Sequence, residues 1–217
     1  MAEHLKVSTT GRHRVPTQDR GQRRVDEILD AAESVIAAGG VDQATTNAIA
    51  EQAGAGMGSL YHFFPNKDAI VEGLAERYTT QMAAIFEAMR SPEMASIPVA
   101  DMVDRIVDPL VAFHRRTPAY RHVYHAINRP GSKSLCEAEL QQGIVEWVEQ
   151  LIAVRAPKTD QRLQHVRAVV SVEMVHRMLD FVAEMPAGSQ REVVPEIKRL
   201  LALYCTMMES GEDPLGR

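Results

Sequence analysis

The chain has 217 residues, 45% hydrophobic and 24% charged, an ordinary globular balance that suits one large domain or a small domain joined to a medium one. Cys136 and Cys205 are its only cysteines and form no CxxC pair, which excludes a disulfide framework. No apolar run approaches a membrane span, and the polar N-terminus excludes a secretory signal, so a cytoplasmic protein with free thiols is expected. The net charge of −5 is unevenly placed: residues 1–24 hold Lys6, Arg12, Arg14, Arg20, Arg23 and Arg24 against Glu3 and Asp19, a local +4 that leaves −9 on the remainder. An acidic body does not exclude a basic contact edge, because fields from distant charges are screened beyond roughly 8 Å at physiological salt.

Residues 1–19 mix Ser, Thr, Gly, Pro and scattered Arg without periodicity and read as a disordered basic tail. From about Arg20 a helical face begins: Val25, Ile28, Leu29, Ala32 and Ile36 recur at helical spacing, with Asp26, Glu27, Asp30 and Glu33 off that face. Gly39-Gly40 is expected to stop it. A short helix follows, capped by Thr45 or Thr46, with Ile49, Ala50 and Ala53 as its apolar side. Gly54-Ala55-Gly56 reads as a tight turn, and Met57 to Phe64 as another short helix closed by Pro65. Asn66 is placed to cap a long helix from Lys67 to about Arg90, with Asp68 in its first turn. Beyond Ser91-Pro92 and Ile97-Pro98, the punctuation of Pro118, Arg129-Pro130-Gly131, Pro157 and Pro186-Ala187-Gly188 divides the chain into helices at about 99–115, 118–128, 133–155, 159–185 and 189–210. Pro109 is expected to kink or split the first of these. No strand alternation persists, so the fold class is all-α with about nine helices: a three-helix head over 20–66 and a larger helical body over 67–217.

Two short helices joined by a Gly-containing turn form the helix-turn-helix pattern. Its physics explains the residue types of Thr45 to Lys67. Small Ala50 and Ala53 allow close packing, Gly54 tolerates positive φ, and Leu60 and Phe64, four apart, bury one side of the second helix while the other is left for a DNA groove.

This string resembles the TetR family of regulators over roughly residues 20–75. The match rests on Gly39-Gly40, Thr45-Thr46, Ile49-Ala50-Glu51, Ala53-Gly54, Gly58-Ser59-Leu60-Tyr61-His62-Phe63-Phe64-Pro65 and Asn66-Lys67-Asp68, in order and spacing. The resemblance implies that Thr46 and Asn47 meet the phosphate backbone and that Met57, Gly58 and Ser59 face base edges. It further implies that Tyr61 sets its hydroxyl on a phosphate, that His62 reaches bases or phosphates, and that Lys67 holds another phosphate. Arg20, Arg23 and Arg24 would add backbone contacts. Phosphate contacts would set position, and base contacts sequence choice. The chain departs from the family at Gly56, where Ser is frequent, at Met57, commonly polar, at Asn47, frequently Arg, and at Phe63. A head so short of polar groups is expected to depend on its arginine-rich tail.

In the body, His114, Tyr120, His122, Tyr124 and His125 cluster near one helix-helix corner without the carboxylate or thiolate company of a metal site, so no metal is expected. Phe86, Met102, Phe113, His114, Tyr124 and Trp147 are candidates either for core or for the wall of a ligand pocket. The last two long helices are strongly apolar on one side. The family resemblance implies that such helices pair with those of a second copy, through Val169, Met174, Met178, Leu200, Leu201 and Tyr204. No GxSxG, phosphate loop or HExxH is present, so neither an enzyme nor a cofactor is expected. The expected protein is a homodimeric repressor on a palindromic operator of double-stranded DNA, released by a small-molecule effector. A ligand-independent or partner-controlled regulator, or an activator with the same head, is the alternative.

Overall fold

The computed structural model describes residues 17–128 and 135–211. Among them are nine α-helices, one 3-10 turn and no strand: α1 (Thr17–Gln43), α2 (Thr46–Gln52), α3 (Met57–Phe63), α4 (Lys67–Met89), the turn Pro92–Ala95, α5 (Val99–Arg116), α6 (Tyr120–Ile127), α7 (Leu135–Arg155), α8 (Gln161–Glu184) and α9 (Ala187–Ser210). The first helix thus begins inside the stretch read as tail, whose residues 1–16 lie outside the described ones.

One apolar core runs from head to body. In the head it joins Ile28, Leu29, Ala32 and Ile36 of α1, Ile49 and Ala50 of α2, Leu60 of α3, and Ile70 and Leu74 of α4. The start of α4 therefore completes the head and its remainder belongs to the body. The same cluster continues through Tyr78, Met82, Leu110, Phe113 and Val123. A second cluster (Val103, Val107, Val182, Ile197, Leu201) ties α5 to α8 and α9, and a third (Ile152, Ala156, Ala168, Met208) ties α7 to both.

The caps follow the sequence. Thr45, not Thr46, caps α2, its hydroxyl accepting the Ala48 amide at 3.1 Å, and Asn66 caps α4 by accepting the Ala69 amide at 2.8 Å. Asp160 caps α8 by accepting the Leu163 amide at 3.0 Å. Pro109 does not split α5, which runs unbroken through it to Arg116. Proline removes one ladder bond, but Val103, Val107, Leu110 and Phe113 are all buried, and packing on both sides of Pro109 holds the helix together.

Gly40 turns the chain at φ 76°, ψ 170°, a region essentially open to glycine alone, and the helical backbone resumes for one more turn to Gln43. A Cβ on Gly40 would lie 3.6 Å from the His122 ring, which is ordinary contact. Gly40→Ala is therefore expected to cost about 1–3 kcal/mol through backbone strain alone, read as a lower urea midpoint with unchanged slope.

At the joint between head and body, Arg77 of α4 pairs with Asp26 and Asp30 of α1. Beside it the Tyr78 hydroxyl is buried against the Glu33 carboxylate without a hydrogen bond of normal geometry. Burial pushes the Glu33 carboxyl above its ordinary value, against the lowering influence of Tyr78 and Arg77. A carboxyl with a raised folded-state pKa is protonated more readily in the folded chain, so the cost of ionising it is absent at low pH and grows as pH rises through that value. Glu33→Gln removes the ionisation. Its stability relative to the unaltered chain is expected to increase as pH rises above the ordinary carboxyl value of 4.5 and to level off once the folded carboxyl is ionised, measured by urea unfolding at a series of pH values.

Candidate nucleic-acid interface and body cavity

Leu60 is fully buried and pins α3 onto the head core, which turns Gly58, Tyr61 and His62 to solvent. Met57 and Ser59 are half-buried, with Met57 packed against the core, so the departure at Met57 is partly absorbed by packing. Gly54 makes the α2–α3 turn at φ 55°. The Tyr61 hydroxyl lies 3.3 Å from Thr46 Oγ1, which sets two hydroxyls side by side where α2 begins and α3 passes it. Asn47 is exposed beside them. The His62 and Phe63 rings meet edge to face at 4.9 Å, fixing the imidazole at the end of α3. Arg20 and Arg23 are exposed near the start of α1. This edge presents hydroxyl, amide, imidazole and guanidinium groups at the surface, the set that suits a phosphate backbone.

Two cations have structural work of their own. Arg24 pairs with Glu27 at 2.7 Å and donates to the Gly54 carbonyl at 3.3 Å, fastening the α2–α3 turn to α1. The Lys67 ammonium donates to the carbonyls of Val41 (3.0 Å) and Asp42 (3.5 Å). The last turn of α1 carries no basic residue of its own, so Lys67 supplies from α4 the positive charge that a helix C-terminus favours. Neither link has a local sequence signal, since the partners are 25 to 30 residues apart.

The two family models that match describe this architecture between them. The bacterial regulatory proteins of the tetR family match over residues 28–74, and the Tetracyclin repressor-like C-terminal domain matches over residues 98–204. The chain belongs to the TetR family. Among curated relatives it is 35% identical over 69 residues to the HTH-type transcriptional repressor Rv1474c of Mycobacterium tuberculosis, which is 32% of this chain and 37% of that one. It is also 35% identical over 66 residues to the uncharacterized HTH-type transcriptional regulator YvdT of Bacillus subtilis, 30% of this chain and 33% of the other. The matched stretch thus spans about a third of each relative. Two TetR-family structures from Rhodococcus share the fold: one covers 92% of this chain and 100% of its own at a TM-score of 0.65, the other 86% and 97% at 0.66, both at 18% identity.

In the body of this TetR-family chain, α4, α5, α6, α7, α8 and α9 line a cavity of about 180 Å³. Phe86, Met102, His114, Tyr124 and Trp147 stand in its wall, while Phe113 lies behind, edge-on to Tyr120 at 4.9 Å. Burial pushes the His114 imidazole down to about 4 and holds His176 below its ordinary value, the latter despite the Asp180 carboxylate 3.6 Å away. Among the described residues no three His, Cys, Asp or Glu side chains gather as a metal site would require, and no helix is long and apolar enough to cross a membrane.

Of the six residues read as partner-facing, Val169 and Leu200 are exposed. Met174 and Met178 are half-buried against the α5–α8–α9 cluster, Leu201 is inside that cluster, and Tyr204 is in the cavity wall. The exposed apolar face of these helices is carried by Leu163, Val166, Val170 and Phe181 of α8 with Leu200 and Leu203 of α9.

Proposed function

We propose that this TetR-family chain is a transcriptional repressor that binds a palindromic operator as a homodimer and is released when a small molecule occupies the body cavity. The observation that carries the reading is the α2–α3 edge: Leu60 is buried while Tyr61, His62 and Gly58 face out, and the Tyr61 and Thr46 hydroxyls stand 3.3 Å apart. Two heads related by a two-fold axis would enter successive major grooves roughly 34–36 Å apart. The unpartnered apolar stripe of α8 and α9 supports pairing, since isolated soluble proteins seldom expose contiguous apolar surface of this kind. The cavity supports release by an effector over a ligand-independent regulator with a filled body: an effector that favours one body conformer shifts the population of head spacings.

Selection of bound sequences from random double-stranded DNA with the full-length chain is expected to enrich a palindrome, and absence of enrichment at low salt sinks the proposal. In the same assay Tyr61→Phe is expected to weaken binding roughly 10-fold or more and about equally for all sequences, since a hydrogen bond to a charged phosphate contributes ~1.5–3 kcal/mol.

A further inference from the structure

The wall of the body cavity is hydrocarbon and ring over most of its area, with a few polar groups set among them. The charged ones are already matched. Arg155 pairs with Glu209 and donates to the carbonyls of Met94 and Ile97 at 3.0 and 2.9 Å, so among the described residues no unpaired charge faces the space. The titratable rings are neutral near pH 7: His114 and His176 are held below their ordinary values by burial. An anion would therefore meet no unpaired cation, and a cation no unpaired carboxylate, among the described residues. Burying either without a partner costs several kcal/mol.

Ser171 is different. It stands in the wall on α8, and its hydroxyl oxygen is buried with no hydrogen-bond partner, as is the Nε2 of His176 on the same helix, which lies 3.6 Å from the Asp180 carboxylate. A buried hydroxyl left unsatisfied is costly, and a ligand group that reaches it recovers that cost. The volume sets the scale. An engineered apolar cavity of roughly 150 Å³ admits a benzene ring, so about 180 Å³ suits a single ring with a short substituent.

We propose that the cavity takes an uncharged, ring-sized, mostly hydrocarbon molecule bearing one hydrogen-bonding group, and that Ser171 meets that group. This rests on the reading of the cavity as the effector site. The test is a charge series of one shape, 4-ethylphenol, 4-ethylbenzoate, 4-ethylbenzylammonium and ethylbenzene, titrated into the full-length protein by calorimetry at pH 7. The phenol is expected to bind roughly 100-fold or more tighter than either ion and several-fold tighter than ethylbenzene. Ser171→Ala is expected to lower phenol affinity roughly 3–10-fold while leaving ethylbenzene unchanged. Tighter binding of benzoate or benzylammonium overturns the ligand class and leaves the cavity reading standing. No binding by any member, with operator binding intact, overturns both. Loss of phenol and ethylbenzene in equal measure, or of neither, overturns the assignment to Ser171, and the phenol-to-ethylbenzene ratio in the unaltered protein tests the hydrogen bond without any variant.

Discussion

Tyr78→Ala is expected to lower the unfolding free energy by about 3–5 kcal/mol, the range for emptying a buried aromatic site. The ring is 1% exposed and lies where α4 passes from head to body. It meets Phe113 edge to face at 6.2 Å and Tyr120 at 5.6 Å, so removal opens a cavity lined by rigid rings that cannot collapse inward without dragging α5 and α6. Tyr78→Phe separates the ring from its hydroxyl. The hydroxyl makes no hydrogen bond of normal geometry, so the conservative change is expected to cost less than about 1.5 kcal/mol. Urea unfolding followed by circular dichroism reads both variants. Equal losses for the two would show that the hydroxyl and Glu33, and not ring packing, hold the joint.

The same tyrosine shows what sequence could and could not reveal. Helical spacing found Ile28, Leu29, Ala32 and Ile36 on one face of α1 because a local period of 3.6 writes itself into consecutive residues. Proline and glycine found the breaks, and Asn66 found its cap, because those preferences act within one turn. Pro109 misled for a related reason: its local penalty is real, but the packing that overrides it comes from other elements. Lys67 was legible as a cation at a helix N-terminus, yet the carbonyls that engage it belong to a helix 25 residues away. Phe113, at 1% exposure, and Trp147, in the cavity wall, look alike as aromatics on helical faces, and only the assembled bundle distinguishes core from wall. Ser171 left no trace in the sequence, since an unpartnered hydroxyl is defined by what fails to approach it.

If the proposed homodimer pairs through the α8–α9 stripe, Val170→Asp and Leu203→Asp are expected to convert it into a folded monomer. In the single chain both side chains already face solvent, at 44% and 69% exposure, so an added carboxylate there has no core to disturb and helicity is expected to be unchanged. In a two-fold interface each substitution appears twice, and a carboxylate buried without a partner costs about 3–5 kcal/mol. With tenfold in affinity for every 1.4 kcal/mol, the dimer dissociation constant is expected to rise at least roughly 100-fold, read by sedimentation at micromolar concentration. Arg191→Asp, exposed near the N-terminal end of α9 and outside the apolar stripe, is the control expected to leave assembly intact. Operator affinity is expected to fall with the dimer, because a lone head keeps its half-site contacts but loses the effective concentration that its partner supplies for the second groove. A Leu203→Asp chain that sediments like the unaltered one would place the pairing surface elsewhere on the body and leave the α8–α9 stripe without a partner.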